Sequence, residues 1–164
     1  MKRWIDRLEW IQLRMAAGFF LLFIGCVILQ VASRYLPGVT VLWAPEVATY
    51  AFIWTIFMGA AIMVRRQEHF RFDMLVNRLK GRSQLVARIV IHMTILAFGF
   101  VLFGDGTTLT QQFWAWSLNS LPQVKQGYVW LAIPVSGITM MIYAIANIRD
   151  DIHDYKRKEG ELTP

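Results

Sequence analysis

Four long apolar runs separated by short polar connections set the pattern of this chain, at 15–33, 43–64, 85–104 and 128–148. Each is close to the ~20 residues that a helix needs to cross a hydrocarbon core. Together they take about half the chain, leaving short connections and no room for a separate soluble catalytic domain. The pattern predicts an all-α membrane protein, a single integral domain of four transmembrane helices. Two shorter stretches have a different period. In residues 2–14, Trp4, Leu8 and Ile11 share one helical face, with Lys2, Arg3, Asp6, Arg7 and Glu9 elsewhere. In residues 70–80, Phe72, Leu75, Val76 and Leu79 form a stripe, with Arg71, Asp73, Arg78 and Lys80 around it. Both read as short amphipathic helices lying in the membrane interface, the second ended by Gly81.

Composition supports this picture, and charge gives it a direction. Of the 164 residues 56% are hydrophobic, and the mean hydropathy is +0.42, too apolar for an ordinary soluble domain of this size. Fifteen of the 17 Lys and Arg residues fall in the N-terminal segment, the middle connection and the C-terminal tail. The other two, Arg34 and Lys125, occupy the first and third connections. Positive charge collects on the cytoplasmic side, so both termini and the middle connection are expected there. Topology and anionic headgroups account for the net charge of +6 without a nucleic-acid partner. Six of the seven tryptophans fall where an aromatic belt would place them, and only Trp54 is mid-span. Val31-Ala32-Ser33 faintly resembles a signal-peptide cleavage site, but the first run is long for one and its leader carries Asp6 and Glu9, so a retained helix is expected. The single Cys26 can form no intrachain disulfide and reads as a small packing residue.

Candidate chemistry concentrates in residues 43–69. Glu46 lies inside one end of the second run, and Arg65 and Arg66 close the other. An ionisable group within a span faces protein or a water-filled cavity and is a functional candidate. Pro45-Glu46 is equally a helix-start signature, with proline in the first turn and an acid at the positive end of the helix dipole. Both readings stay open on the sequence alone. Tyr50, Trp54, Phe57 and Ala61 follow Glu46 at three- and four-residue intervals, so acid, phenol and indole share a face. Gly59, Ala60 and Ala61 would let another helix backbone approach closely. Ordinary packing within the chain's own bundle is the competing account of that face.

Catalysis and redox chemistry find no support. Only His92 lies within a span, so the paired histidines of a membrane haem site are absent. One Cys and scattered His make no zinc or redox motif. His92 reads as a packed, hydrogen-bonded residue. Gly104-Asp105-Gly106 breaks the apolar pattern of the third run, and Pro134 should kink the fourth helix unless it falls in the first turn.

The pattern Glu46-x3-Tyr50-x-Phe52-x-Trp54-x4-Gly59-Ala60-Ala61-x3-Arg65-x3-His69 resembles the signature of the small membrane subunit of TRAP transporters, the DctQ-like family. The resemblance extends to the four spans and to Leu121-Pro122 before the last of them. One departure is Gln67-Glu68, where the family often has a glycine. The resemblance implies a non-enzymatic scaffold in the bacterial inner membrane, bound stably to a large membrane subunit that carries the substrate and sodium sites. A periplasmic binding protein would deliver an organic acid, and no cofactor is implied. A subunit interface is then expected at Glu46, Tyr50, Trp54, Gly59, Ala60 and Ala61, with Arg65 and His69 at the inner membrane surface. The competing assignment is the membrane anchor of a haem or quinone oxidoreductase, which the lack of a histidine pair disfavours.

Overall fold

The computed structural model describes residues 2–36, 40–67 and 82–161. Four of its helices are long and apolar enough to cross a membrane. They are α1 (Lys2–Ser33), α2 (Ala44–Arg66), α3 (Arg82–Gln112) and α5 (Ala132–Glu161), with the single turn α4 (Gly127–Trp130) leading into α5. The interfacial helix expected at 70–80 and His69 lie outside the described residues.

Two boundaries differ from expectation. Residues 2–14 are not a separate surface helix but the start of α1, which runs unbroken for 32 residues, about 48 Å. No proline or glycine interrupts the chain before Gly18, and this segment has core of its own to cover, since Ile5 and Leu8 pack against Ala61, Val64, Met140 and Tyr143. Likewise α3 does not stop at 104 but continues through Gly104-Asp105-Gly106 to Gln112. Along its polar end Thr107, Thr108 and Thr110 turn their hydroxyls back onto the carbonyls of Phe103, Gly104 and Gly106, so these hydroxyls are satisfied within the helix. Pro134 falls in the first turn of α5, where its missing N–H breaks no helical bond. At the end of α2, Gln67 caps the helix in the left-handed region (φ 55°) and donates its N–H to the Val64 carbonyl. That is a position glycine usually fills, and it coincides with the departure from the family pattern at Gln67-Glu68.

The spanning helices form an open row, not a closed bundle. Their main contacts run from α1 to α2, from α2 to α5 and from α5 to α3. Burial follows this order: 56% of the apolar stretch entering and forming α5 is enclosed, 33% of that in α2, and 11% in each of α1 and α3. Different physics attaches the two sides of α5. Toward α1 and α2 it presents a polar ladder at helical spacing, Ser136, Thr139, Tyr143 and Asn147. Ser136 donates to the Phe57 carbonyl at 2.7 Å, and the Tyr143 hydroxyl donates to Gln12 Oε1 at 2.8 Å. Gln12 Nε2 donates in turn to Thr139 Oγ1 at 3.1 Å, and Asn147 Nδ2 to the Val64 carbonyl at 2.8 Å. Such bonds average about 0.6 kcal/mol each in a membrane, so the ladder acts by number and by fixing register. Cys26 sits beside Ala44 and Ala48 in a small-residue cluster between α1 and α2.

Toward α3, α5 is held by close backbone approach. A Cβ on Gly137 would lie 2.8 Å from the Gly99 carbonyl oxygen and from the Phe103 nitrogen, and one on Gly99 would lie 3.1 Å from the Gly137 oxygen. Gly106, two turns along α3, meets Pro134 in the same way at 2.9 Å. Small residues at a seam let helices gain dispersion contact where no hydrophobic drive exists between them. Gly137→Ala is therefore expected to lower thermal stability in detergent by about 1–3 kcal/mol, the usual cost of overpacking. Gly104→Ala, whose Cβ would meet nothing within 4 Å, should instead stabilise by up to about 1 kcal/mol through helix propensity. Melting-temperature shifts of the same sign in both variants would refute the seam.

Candidate functional site

The segment singled out by sequence runs between two polar anchors at opposite ends of α2. At one end, Glu46 sits in the first turn behind Pro45, half-buried. Its carboxylate accepts the backbone N–H of Asn119 at 3.0 Å and that of Ser120 at 2.7 Å, and the Tyr50 hydroxyl donates to it at 3.3 Å. The acid therefore closes onto the connection after α3, not onto open space. That connection folds back on itself. Ser117 and Lys125 pair as an antiparallel bridge, Leu118 N–H bonds the Val124 carbonyl at 3.0 Å, and Gln126 N–H bonds the Trp116 carbonyl at 2.8 Å. Leu118 is buried beneath it. Trp114 lies against Gly127, where a Cβ would come within 2.6 Å of the indole, and Lys125 stands 5.7 Å from the centre of the same ring. Ser120 Oγ donates to the Leu42 carbonyl at 3.2 Å, tying the turn to the segment before α2.

At the other end Arg65 is the hub of an ion network across three helices. Its guanidinium donates to Asn147 Oδ1 at 3.0 Å and reaches Asp6 at 3.4 Å, Asp150 at 3.5 Å and Glu9 at 3.9 Å. Arg66 pairs with Glu9 at 2.9 Å. A planar fork with several donors suits this convergence of carboxylates and an amide in a way a lysine would not. Nearby, Asp151 joins Arg88 at 3.0 Å and His92 Nε2 at 3.0 Å, linking α5 to α3. His92 is thus a packed, hydrogen-bonded residue. Its partner lies 59 positions away in a stretch that reads as polar tail, so the pairing leaves no local trace. The glycine seam and the Ser136–Asn147 ladder were also missed. Both are visible in retrospect as small or polar residues at three-, four- and seven-residue spacing within apolar runs.

The six residues expected to form a subunit interface are divided by the structure. Tyr50 is turned to Glu46. Trp54 stacks on Phe19 with ring centres 5.3 Å apart and donates its indole N–H to the Tyr128 carbonyl at 3.2 Å. Ala61 is fully enclosed in the core, and Ala60 packs against the same cluster. Of the six, Gly59 has open space beside it, since a Cβ there would meet nothing within 4 Å. It lies on the opposite side of α2, in line with the exposed Phe52, Ile56 and Met63. Among the described residues no group of three His, Cys, Asp or Glu side chains is close enough to hold a metal ion.

Comparison with known proteins shows the family. The profile of the family described as tripartite ATP-independent periplasmic transporters, DctQ component, matches residues 23–154. The chain is 25% identical over 142 residues to the sialic acid TRAP transporter permease protein SiaT of Haemophilus influenzae, covering 85% of this chain and 22% of that protein. It is 33% identical over 73 residues to the C4-dicarboxylate TRAP transporter small permease protein DctQ of Vibrio cholerae, covering 44% of this chain and 32% of the relative. A DctQ protein of the same description from Rhodobacter capsulatus is 25% identical over 114 residues, or 69% of this chain and 50% of the relative. The chain thus spans half or less of the length of each of these three relatives. Family and apolar helices together make it a multi-pass inner-membrane protein.

Arg65→Leu would remove the cation shared by Asp6, Glu9 and Asp150, leaving Glu9 with Arg66. It is expected to destabilise the fold by about 2 kcal/mol, below the 3–5 kcal/mol typical of a fully buried pair because the partners keep access to water. Arg65→Lys should recover part of this, since it keeps the charge and loses the fork. Thermal melts of the three proteins side by side check it, and an unchanged Arg65→Leu melt would contradict the hub.

Proposed function

Since the chain belongs to the DctQ family of tripartite ATP-independent periplasmic transporter components, we propose that it is the small permease subunit of such a transporter. In this reading it forms a stable scaffold beside a large membrane subunit. That subunit carries an organic acid across the bilayer with sodium, after a periplasmic binding protein delivers it. The Glu46 end faces the periplasm and the Arg65 end the cytoplasm, in keeping with the fifteen-to-two distribution of basic residues.

The observation that carries the scaffold role is the open row itself. The outer helices α1 and α3 are largely uncovered, and the polar side chains of α5 described above are bonded to neighbouring helices of the same chain. Such a piece offers apolar faces to its surroundings and anchors its ends by polar ties. The binding protein docks on the segments at the Glu46 end, around 40–44 and 113–127. The large subunit packs on the open face of α2 formed by Phe52, Ile56, Gly59 and Met63, where the glycine permits close approach.

Co-expression with the large subunit tests this face. Gly59→Trp is expected to cut co-purification at least tenfold while the isolated chain stays monodisperse and melts normally. Phe100→Trp, on the uncovered side of α3, should leave co-purification intact. The reverse result would move the interface to α3, and no association with any large subunit would sink the subunit assignment.

A further inference from the structure

We propose that Glu46 is a positioning residue for docking of the substrate-loaded binding protein, acting through the 117–126 hairpin and touching neither the large subunit nor the binding protein itself. The inference rests on the subunit reading above and adds the residue that sets the geometry of its periplasmic surface.

Three features of the site support it. First, the carboxylate is already engaged within the chain. Both oxygens accept backbone N–H groups from consecutive residues, Asn119 and Ser120, and Tyr50 supplies a third donor. Two N–H groups on one carboxylate fix the turn in rotation as well as distance, as a single bond would not. Second, the hairpin depends on that tie. It is short, and two-stranded ribbons of this size are marginal without support. It packs onto the body through the buried Leu118, Trp114 against Gly127 at its base, and Gln126, whose side chain bonds Tyr50. The polar tie at its turn comes from Glu46, with Ser120 Oγ adding the link to Leu42. Glu46 thus holds together the two segments that form the proposed docking surface, one on each side of it in sequence. Third, the exposed groups of that surface ride on the hairpin. Trp116 is 62% exposed, and the Lys125 ammonium stands over the Trp114 ring. An aromatic platform next to a cation suits a soluble partner that presents carboxylates at its contact edge.

Glutamine at position 46 keeps the size of the side chain but turns one acceptor into a donor, which then opposes a backbone N–H. The turn would lose one of its two bonds while the helix start keeps its shape. The test uses the assembled membrane complex in liposomes, with uptake measured against the concentration of loaded binding protein. For Glu46→Gln the half-saturating concentration should rise about tenfold, equivalent to about 1.4 kcal/mol, with maximal uptake and co-purification unchanged. Ser120→Ala, which keeps both N–H groups and loses the hydroxyl's links to Leu42 and to the Glu46 carboxylate, should raise it by a smaller factor. Spin labels at Ser117→Cys and Ile28→Cys in a Cys26→Ala background should show a broadened distance distribution once Glu46→Gln is added, a change that altered subunit contact alone would not produce.

An unchanged half-saturation point or an unchanged distance distribution would overturn the proposal and leave the subunit assignment standing. Lost co-purification, or lost maximal uptake at saturating binding protein, would also overturn it by placing Glu46 in the contact with the large subunit. If the unmodified complex took up substrate without any binding protein, the reading beneath the proposal would fail instead.

Discussion

The fold depends on the need of polar side chains on a membrane helix to find partners inside the protein. α5 carries four such residues on one face, Ser136, Thr139, Tyr143 and Asn147, and its neighbours supply the acceptors and donors they require. Gln12 on α1 answers Tyr143 and Thr139 together, which explains why α1 must extend beyond the apolar run far enough to bring Gln12 and Leu8 alongside α5. With that side of α5 committed, α3 attaches to the other by a different means, a glycine seam where backbones come into contact. The row α1–α2–α5–α3 follows from these two incompatible faces of one helix.

Closure at the ends is equally specific. Glu46 and Arg65 stand just over five turns apart on α2, and each gathers elements that the middle of the membrane leaves apart. Glu46 fastens the hairpin after α3 to the start of α2, while Arg65 draws carboxylates from α1 and α5 onto its end. An acid in the first turn of a helix and a guanidinium among carboxylates are both low-cost placements near an interface, where water still reaches the outer atoms. The scaffold role proposed for the chain is consistent with this distribution. Polar bonds are spent internally, and what the outer helices present is apolar surface such as Leu21, Ile28 and Phe100.

Some positions depart from the easiest local choice. Gln67 holds a left-handed conformation that glycine would hold without steric cost. Asp151 and His92 lie almost fully enclosed between α3 and α5, where Arg88 completes the charge balance. The end of α2 and the Asp151 cluster lie toward the same end of the molecule, where the start of α1 and the C-terminal part of α5 carry dense charge.

The amino-acid sequence by itself determined the class, the four spans and the family signature, because hydropathy and spacing are properties of a local window that the bilayer reads directly. It also read Cys26 as a small packing residue, but whether Pro134 kinks the last span waited on where that helix begins. Helical period correctly put Glu46, Tyr50, Trp54 and Ala61 on one face. What that face meets was not legible: the partners of Glu46 lie 73 and 74 residues away, and that of Trp54 lies 74 away. Period assigns a direction, but a covering surface is chosen by which helices lie side by side. Only the tertiary structure decided that this face turns inward while Gly59 turns outward, that the polar ends of α1 and α3 remain helical, and that His92 belongs with Asp151. The pairings of Glu46, Trp54 and His92 each depend on a donor or acceptor supplied from a distant part of the chain, and in a membrane that supply outweighs local polarity.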